Sequence, residues 1–209
     1  MRLIAIIGTA LILSACASTR TPAASSPAAN PMPGSTASSS AAIDCAKPAT
    51  TVQQLVCSDR QLTDLDHRLQ VAYQQALGRP DADKATLSAA QDSWAATRDD
   101  CAHNADVRTC VQEAYQTRLV QLALADPATV APPVVTYRCP SGFDPLTAQF
   151  YNQFDPKTAV LNWKGDQYIL FIQLSGSGAR YGRQGVEYWE HQGEVRLDIT
   201  GTTFLCNTA

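Results

Sequence analysis

The chain has 209 residues, of which 45% are hydrophobic, and its formal net charge is −3 at pH 7. This weakly acidic balance argues against nucleic acid, and against an acidic surface, as a partner. The chain contains no G-x-S-x-G element, no H-E-x-x-H element and no Walker loop. We therefore predict a binding protein and not an enzyme.

The N-terminus predicts export and lipidation. Met1-Arg2 precedes an apolar stretch, residues 3–13, that is too short to span a bilayer as a stable anchor. Leu13-Ser14-Ala15-Cys16 matches a bacterial lipobox, so residues 1–15 are predicted to be the signal peptide and Cys16 the lipid-bearing residue that attaches the protein to the membrane. Ala17 favours the outer membrane, with the protein facing the periplasm. The alternative is an ordinary secretory signal with an unrelated cysteine.

A tether is predicted after the lipid attachment site, over residues 16–42. Ala, Ser, Thr and Pro make up 22 of the 26 residues from 17 to 42. Because this composition lacks apolar periodicity, we expect a disordered segment.

The cysteines predict disulfides, since an exported protein folds in an oxidising compartment. Apart from Cys16, six of the seven fall into even sets within two segments. We predict the pairs Cys45–Cys57, Cys101–Cys110 and Cys139–Cys206; the sequence leaves other pairings open among the four cysteines of the first segment. No CxxC pair is present and the three histidines are scattered, so neither a metal nor a cofactor is predicted.

Residues 43–126 are predicted to form a bundle of three helices. Ser58 and Gln61 have the spacing of a capping box before the first helix. Apolar residues three or four positions apart mark the inner faces: Leu62, Leu65, Leu69, Tyr73 and Ala76, then Leu87, Ala90, Trp94 and Cys101, then Val111, Ala114, Tyr115, Leu119 and Leu122.

A Pro-Ala linker, residues 127–133, leads to a predicted all-β domain over residues 134–209. Strand-like runs recur between turn signals at 134–139, 146–150, 159–163, 167–174, 186–190, 195–200 and 202–206. Many short strands at this spacing are typical of an antiparallel barrel or sandwich. The fold class is thus α+β, with a disulfide-bonded helical bundle followed by a small β-barrel.

One polar loop follows the most apolar run of the chain. Residues 168–174 read as a buried strand, and Ser175-Gly176-Ser177-Gly178-Ala179-Arg180-Tyr181 comes directly after them. Alternate glycines permit a close approach to another surface, so the loop is suited to probing a cleft. The alternative is an ordinary hairpin turn.

Residues 134–206 resemble the membrane-bound inhibitors of c-type lysozyme, the MliC-like family. The resemblance lies in Tyr137-Arg138-Cys139, in the 175–181 loop (S-x-S-G-A-K/R-Y), in Tyr188-Trp189 before Gly193, and in Cys206. It implies a β-barrel whose loop binds c-type lysozyme. Where the family has a second contact, a Lys, this chain has His191 or Gln192. The proposed contacts are Ser175, Gly176, Ser177, Gly178, Ala179, Arg180, Tyr181, His191 and Gln192. Ser177 is the first choice for the catalytic carboxyls, and the alternative for Arg180 is an ion pair with Glu187.

The helical segment resembles the N-terminal domain of LprI-type lysozyme inhibitors. The resemblance rests on Cys45, Cys57-Ser58-Asp59, and a Trp94…Arg98…Cys101…Cys110…Tyr115…Arg118 pattern. Asp66, Arg98 and Arg118 are expected to form ion pairs inside the bundle.

Together these observations predict a lipid-anchored inhibitor of c-type lysozyme that protects peptidoglycan. The alternative is an envelope module that binds glycan or protein without inhibiting lysozyme. Outward exposure of both Tyr188 and Trp189 beside the loop favours a glycan reader, whereas a loop projecting alone favours the inhibitor.

Overall fold

A computed structural model describes residues 42–140 and 145–208, so the predicted signal peptide, Cys16 and almost all of the predicted tether lie outside it. Within the described residues, helices precede strands, which confirms the predicted fold class. The helices are α1 (Thr51–Ser58), α2 (Arg60–Gly78), α3 (Lys84–Asp100) and α4 (Val107–Leu124), with a 3-10 turn at Cys101–His103. None of these helices combines the length and the apolar character needed to cross a bilayer.

The strands close into one antiparallel barrel in the order β1 to β8, with β1 paired to β8. Their bounds are β1 (Val135–Arg138), β2 (Leu146–Tyr151), β3 (Thr158–Trp163), β4 (Asp166–Ile172), β5 (Ala179–Arg183), β6 (Val186–His191), β7 (Glu194–Ile199) and β8 (Thr202–Thr208). Three hairpins turn on residue pairs with positive φ at both positions, Lys164-Gly165, Gln192-Gly193 and Thr200-Gly201. Such turns match the right-handed twist of the flanking strands.

The start of the helical part differs from the prediction. An extra helix, α1, begins after Thr50, whose side chain accepts a hydrogen bond from the Gln53 amide. The predicted Ser58 cap of the next helix is wrong. Asp59 caps α2 by accepting from the amides of Gln61 and Leu62, and the Ser58 hydroxyl donates to Leu55 O instead.

A buried polar network joins the bundle helices. Arg98 is fully buried, ion-pairs with Asp99 at 2.8 Å and lies 5.1 Å from the ring centroid of Trp94. Tyr115 donates to Asp66 at 2.8 Å and lies 3.4 Å from Nη1 of Arg98. Burial alone lowers the pKa of Arg98, but the hydrogen bond that Arg98 donates to Asp99 and the charges around it raise the pKa on balance. Arg98 therefore pairs with its neighbour Asp99, and Asp66 is bound by the Tyr115 hydroxyl, so the two residues do not form the predicted ion pair with each other.

All three predicted disulfides are confirmed. The pairs are Cys45–Cys57, Cys101–Cys110 and Cys139–Cys206, with sequence separations of 12, 9 and 67. The first ties the chain before α1 to the end of that helix. The last links the chain after β1 to β8, the two strands whose pairing closes the barrel.

Helix α4 covers part of the outer face of the barrel. Leu161 and Leu170 belong to the cluster inside the barrel, whereas Ile169 and Phe171 pack on the outside with Val120 of α4. Because both faces of β4 are covered over this stretch, its sequence is continuously apolar and does not alternate.

A turn of the barrel is also held by the helical part. The backbone amide of Gln184, between β5 and β6, donates to both carboxylate oxygens of Glu113 on α4, at 2.9 and 3.2 Å. Asn104 Nδ2 donates to the Gln184 side chain at 2.9 Å. Burial raises the pKa of Glu113, although the Gln184 hydrogen bond and the positive charge of Arg183 lower it in part.

Replacing Glu113 by glutamine is expected to stabilise the protein at neutral pH. A carboxyl whose pKa is raised on folding is destabilising once it ionises, so its cost is absent below the unfolded pKa and complete above the folded one. Glu113→Gln keeps an acceptor for Gln184 and should raise the melting temperature by roughly 1–3 °C at pH 7. The gain should vanish below about pH 4, where the parent carboxyl is protonated. Thermal melts of both proteins across this pH range test this, and an equal difference at all pH values would contradict it.

Candidate functional site

The β4–β5 loop and the β6–β7 hairpin lie side by side at one end of the barrel. Strand pairing puts Ala179 opposite Glu190 and His191 opposite Glu194. The loop therefore leaves the barrel next to the hairpin that carries His191 and Gln192. The structure brings together the two groups of residues that the sequence analysis singled out.

The loop is shaped by hydrogen bonds to its own backbone. The Gln173 amide donates to Arg180 O at 2.8 Å and closes the base of the loop. The Ser175 hydroxyl donates to Ser177 O, which also accepts from Nε1 of Trp189 at 3.1 Å. Among the described residues, none forms a hydrogen bond with the Ser177 hydroxyl, and this residue is exposed. Ser175 thus maintains the loop conformation, while the Ser177 hydroxyl is available to a partner.

The two glycines of the loop differ in what they require. Gly178 has a φ of +70°, and a Cβ added there would lie 2.0 Å from Glu190 O. At Gly176 an added Cβ would have no neighbour within 4 Å. Only Gly178 is therefore needed for the loop to pack against β6.

Leu174 was predicted to end a buried strand, and that prediction is wrong. β4 ends at Ile172, and Leu174 is 96% exposed at the base of the loop. Ile172 is itself 40% exposed. Two large apolar side chains thus border the loop. The polar residue Gln173, which lies between them, was the signal available in the sequence. Apolar and polar residues alternate from Ile172 to Ser175, whereas a strand that is buried on both faces is continuously apolar.

The remaining loop residues divide between the surface and the barrel interior. Arg180 is exposed and ion-pairs with Glu187 across β5 and β6, which was the alternative considered for it. Ala179 is half-buried. Tyr181 is 5% exposed and packs inside the barrel with Phe150, at 5.5 Å between ring centroids. Tyr181 therefore anchors the end of the loop in the barrel core, and its side chain is not accessible to a partner in this conformation.

The aromatic pair beside the loop is split. Tyr188 is fully buried, its hydroxyl lies 2.8 Å from that of Tyr137, and burial raises its pKa. Trp189 is half-buried and stacks on His191 with 5.9 Å between ring centroids. Gln192 is exposed at the tip of the hairpin with a φ of +53°. The two aromatic rings do not form a shared outward platform.

The chemistry of this end of the barrel is that of a recognition surface. It presents a free hydroxyl at Ser177, apolar side chains at Ile172 and Leu174, and a guanidinium at Arg180. Within residues 42–140 and 145–208, no three His, Cys, Asp or Glu residues are grouped so that they could hold a metal ion.

Comparison with known proteins defines the family. Curated "Lipoprotein LprI" proteins of Mycobacterium bovis and Mycobacterium tuberculosis are 67% identical over 211 residues, covering 100% of this chain and of each relative. The chain belongs to the LprI lipoprotein family. Residues 45–122 match the family described as "Lysozyme inhibitor LprI", and residues 137–204 match "Membrane-bound lysozyme-inhibitor of c-type lysozyme" (MliC).

In this LprI family member, the 175–181 loop and the His191-Gln192 hairpin both lie inside the MliC-matching segment. Among solved structures, the chain is similar to Pseudomonas aeruginosa MliC, crystallised in complex with hen egg white lysozyme. The identity is 23%, the match covers 41% of this chain and 98% of that chain, and the TM-score is 0.33.

Proposed function

We propose that the protein is a lipid-anchored inhibitor of c-type lysozyme that inserts the Ser175–Tyr181 loop into the active-site cleft and so protects peptidoglycan. The observation that carries the proposal is the free Ser177 hydroxyl at the exposed loop, on a backbone that Gly178 locks against β6. Both matched domain families are described as lysozyme inhibitors, which supports the same function.

The chemistry of the target suits such a loop. A c-type lysozyme cleaves glycan with two carboxyl groups in an open cleft, one protonated and one ionised. An inhibitor that removes water from these groups must replace the lost hydrogen bonds. A serine hydroxyl can donate to the ionised carboxylate and accept from the protonated carboxyl. Ser177 fits this role because its hydroxyl is not used within the loop, unlike that of Ser175.

Apolar contact at the base of the loop completes the proposed interface. Leu174 is 96% exposed and Ile172 is 40% exposed, so both lose apolar surface to water if a partner closes over them. A few residues that become fully buried near the centre of an interface commonly contribute most of the affinity. Leu174 is therefore a proposed contact in addition to those predicted from the sequence.

Charged and polar groups would border the contact. Arg180 pairs with Glu187 on the surface, and such an exposed pair is weak enough to exchange for a carboxylate of the partner. On the hairpin, Gln192 is exposed at the tip and His191 stacks on Trp189, so Gln192 is the better placed to occupy the position of the missing Lys.

The anchoring and the domain boundaries belong to the same proposal. Cys16 would carry the lipid, and residues 16–42 would hold the folded part away from the membrane, with the outer membrane as the site. Residues 43–126 would form the helical domain, residues 127–133 the linker and residues 134–209 the barrel domain. The names of the LprI relatives, which are lipoproteins, support the lipid anchor.

Removing the Ser177 hydroxyl is expected to weaken inhibition of a c-type lysozyme by about tenfold or more, because a hydrogen bond to a charged group is worth roughly 1.5–3 kcal/mol. The measurement is the inhibition constant of soluble protein (residues 43–209) against hen lysozyme, for the parent and for Ser177→Ala. Adding Arg180→Ala should weaken inhibition further.

Ser88→Ala is the matched control, since Ser88 is an exposed serine on α3, away from the loop. It should inhibit like the parent. An unchanged inhibition constant for the Ser177→Ala, Arg180→Ala double variant would show that the loop does not contribute to inhibition. If the parent fails to inhibit at micromolar concentration, the c-type assignment is rejected.

A further inference from the structure

The second buried arginine of the bundle, Arg118 on α4, is held differently from Arg98. Arg98 has a carboxylate partner in Asp99. Arg118 is only 6% exposed, yet within residues 42–140 and 145–208 it forms no ion pair with a carboxylate. The expectation that Arg118 joins an intrabundle ion-pair set is therefore wrong.

The partners of the Arg118 guanidinium are few and uncharged. Its Nε donates to Gln91 Oε1 at 2.9 Å, and its Nη1 lies at a long 3.5 Å from Gln121 Oε1. Its Nη2 is buried and has no hydrogen-bond partner among the described residues. Burial lowers the pKa of Arg118, because the charged form loses water without gaining a counter-charge. A buried cation of this kind is costly unless an anion joins it.

Arg118 also lines an open groove between α3 and α4, with a volume of about 570 Å³. This volume lies in the range of sites for small organic molecules. The walls combine an aromatic ring, hydroxyl groups and methyl groups, contributed by Trp94, Ser93, Thr97, Ala90, Ala114 and Thr117. Such a lining offers apolar contact and hydrogen bonds at the same time.

The charges of the groove favour an anion. Arg118 and Arg183 line it, and Glu113 is the carboxylate there. Both oxygens of Glu113 accept from the Gln184 amide, so this carboxylate is already engaged. The Nη1–Nη2 edge of Arg118 carries only the long contact of Nη1 with Gln121. Such an edge has the geometry that binds a carboxylate through two parallel hydrogen bonds.

We propose that the α3–α4 groove is a binding site for a small organic carboxylate, such as the C-terminus of a short peptide, held end-on by Arg118. This site is separate from the barrel loop and does not depend on lysozyme inhibition. The hydrogen bond from Arg118 Nε to Gln91 orients the guanidinium and is kept when the ligand binds. The long contact of Nη1 with Gln121 is replaced by a hydrogen bond to the ligand carboxylate.

The test is the melting temperature of the full-length chain in nonionic detergent, with N-acetyl-alanyl-alanine, its C-terminal amide and inorganic phosphate as probes at matched ionic strength. At ten times its dissociation constant, the carboxylate should raise the melting temperature by roughly 3–5 °C. The amide should cause no rise. Arg118→Met should abolish the response, and Arg118→Lys should bind about tenfold more weakly, because lysine keeps the charge without the two-pronged geometry.

Without ligand, Arg118→Met should melt at or above the parent temperature, since it removes a buried charge that has no counter-charge. Arg98→Met is the matched comparison and should melt well below the parent. The proposal is overturned if Arg118→Met is destabilised as much as Arg98→Met, or if the amide stabilises as well as the acid. It is also overturned if the parent does not respond to the carboxylate, or if phosphate stabilises the parent more.

Discussion

Replacing Gly178 by alanine is expected to weaken the lysozyme inhibition proposed for the loop and to destabilise the barrel. Alanine at a φ of +70° costs about 1–2 kcal/mol. The added Cβ would lie 2.0 Å from Glu190 O, a backbone atom that cannot rotate away. The backbone must shift, which disrupts the pairing of Ala179 with Glu190. We expect a total loss of roughly 2–4 kcal/mol in unfolding free energy and at least about tenfold weaker lysozyme inhibition.

Gly176→Ala is the control for this experiment, because it makes the same chemical change two residues earlier in the same loop. A Cβ at Gly176 meets nothing within 4 Å. This variant should fold like the parent, and any effect on inhibition would report the fit in the lysozyme cleft alone. Urea unfolding gives the stability of both variants, and inhibition assays give their potency against lysozyme. Equal behaviour of the two variants would show that the contact with Glu190 does not hold the loop.

Removing the Cys139–Cys206 disulfide, with alanine at both positions, is expected to lower the unfolding free energy by about 4 kcal/mol. The cross-link spans 67 residues, and the entropy that a disulfide removes from the unfolded chain grows with the length of the closed loop. The link also lies beside the β1–β8 seam, where pairing is limited to Tyr137 with Thr208 and Arg138 with Asn207. Without the disulfide, we expect β1 to separate from β8 before the rest of the barrel unfolds.

The comparison is removal of the Cys101–Cys110 disulfide, which spans 9 residues and should cost about 3 kcal/mol by the same reasoning. Urea unfolding gives the two free energies, and hydrogen exchange at the Tyr137 amide reports the seam. Faster exchange at Tyr137 in the barrel variant alone is the expected result. Equal exchange in both variants would show that the other strand contacts suffice to hold β1.

Local signals in the sequence were enough to predict most of the architecture. Helical periodicity located α2, α3 and α4, and the three cysteine pairs proposed within the two segments match the disulfides of the structure. Seven of the eight strands were predicted, since each lies between turn signals. β5 is not among the predicted strands, since its first three residues belong to the predicted loop, residues 175–181. It becomes a strand through its pairing with β6.

Sequence motifs also placed the candidate site at one loop and one hairpin, but they did not separate the roles of the residues within it. Ser177 was the first choice for the contact with lysozyme, but nothing in the sequence shows how the surroundings of Ser175 and Ser177 differ, or those of Gly176 and Gly178. Their difference arises from β6, because Glu190 approaches Gly178, and from the loop backbone, because Ser177 O accepts from Ser175.

The amino-acid sequence by itself determined the three longer helices and seven of the eight strands, because those elements depend on residue spacing and on neighbours in the chain. Only the tertiary structure decided which apolar residues are exposed and which charges are paired. Leu174 extends an apolar run yet is exposed, because β4 ends at Ile172. Within residues 42–140 and 145–208, Arg118 is buried without a counter-charge, and the side chains that it contacts through hydrogen bonds are Gln91 and Gln121. Exposure and pairing depend on contacts between residues far apart in the chain, and residue spacing carries no information about those contacts.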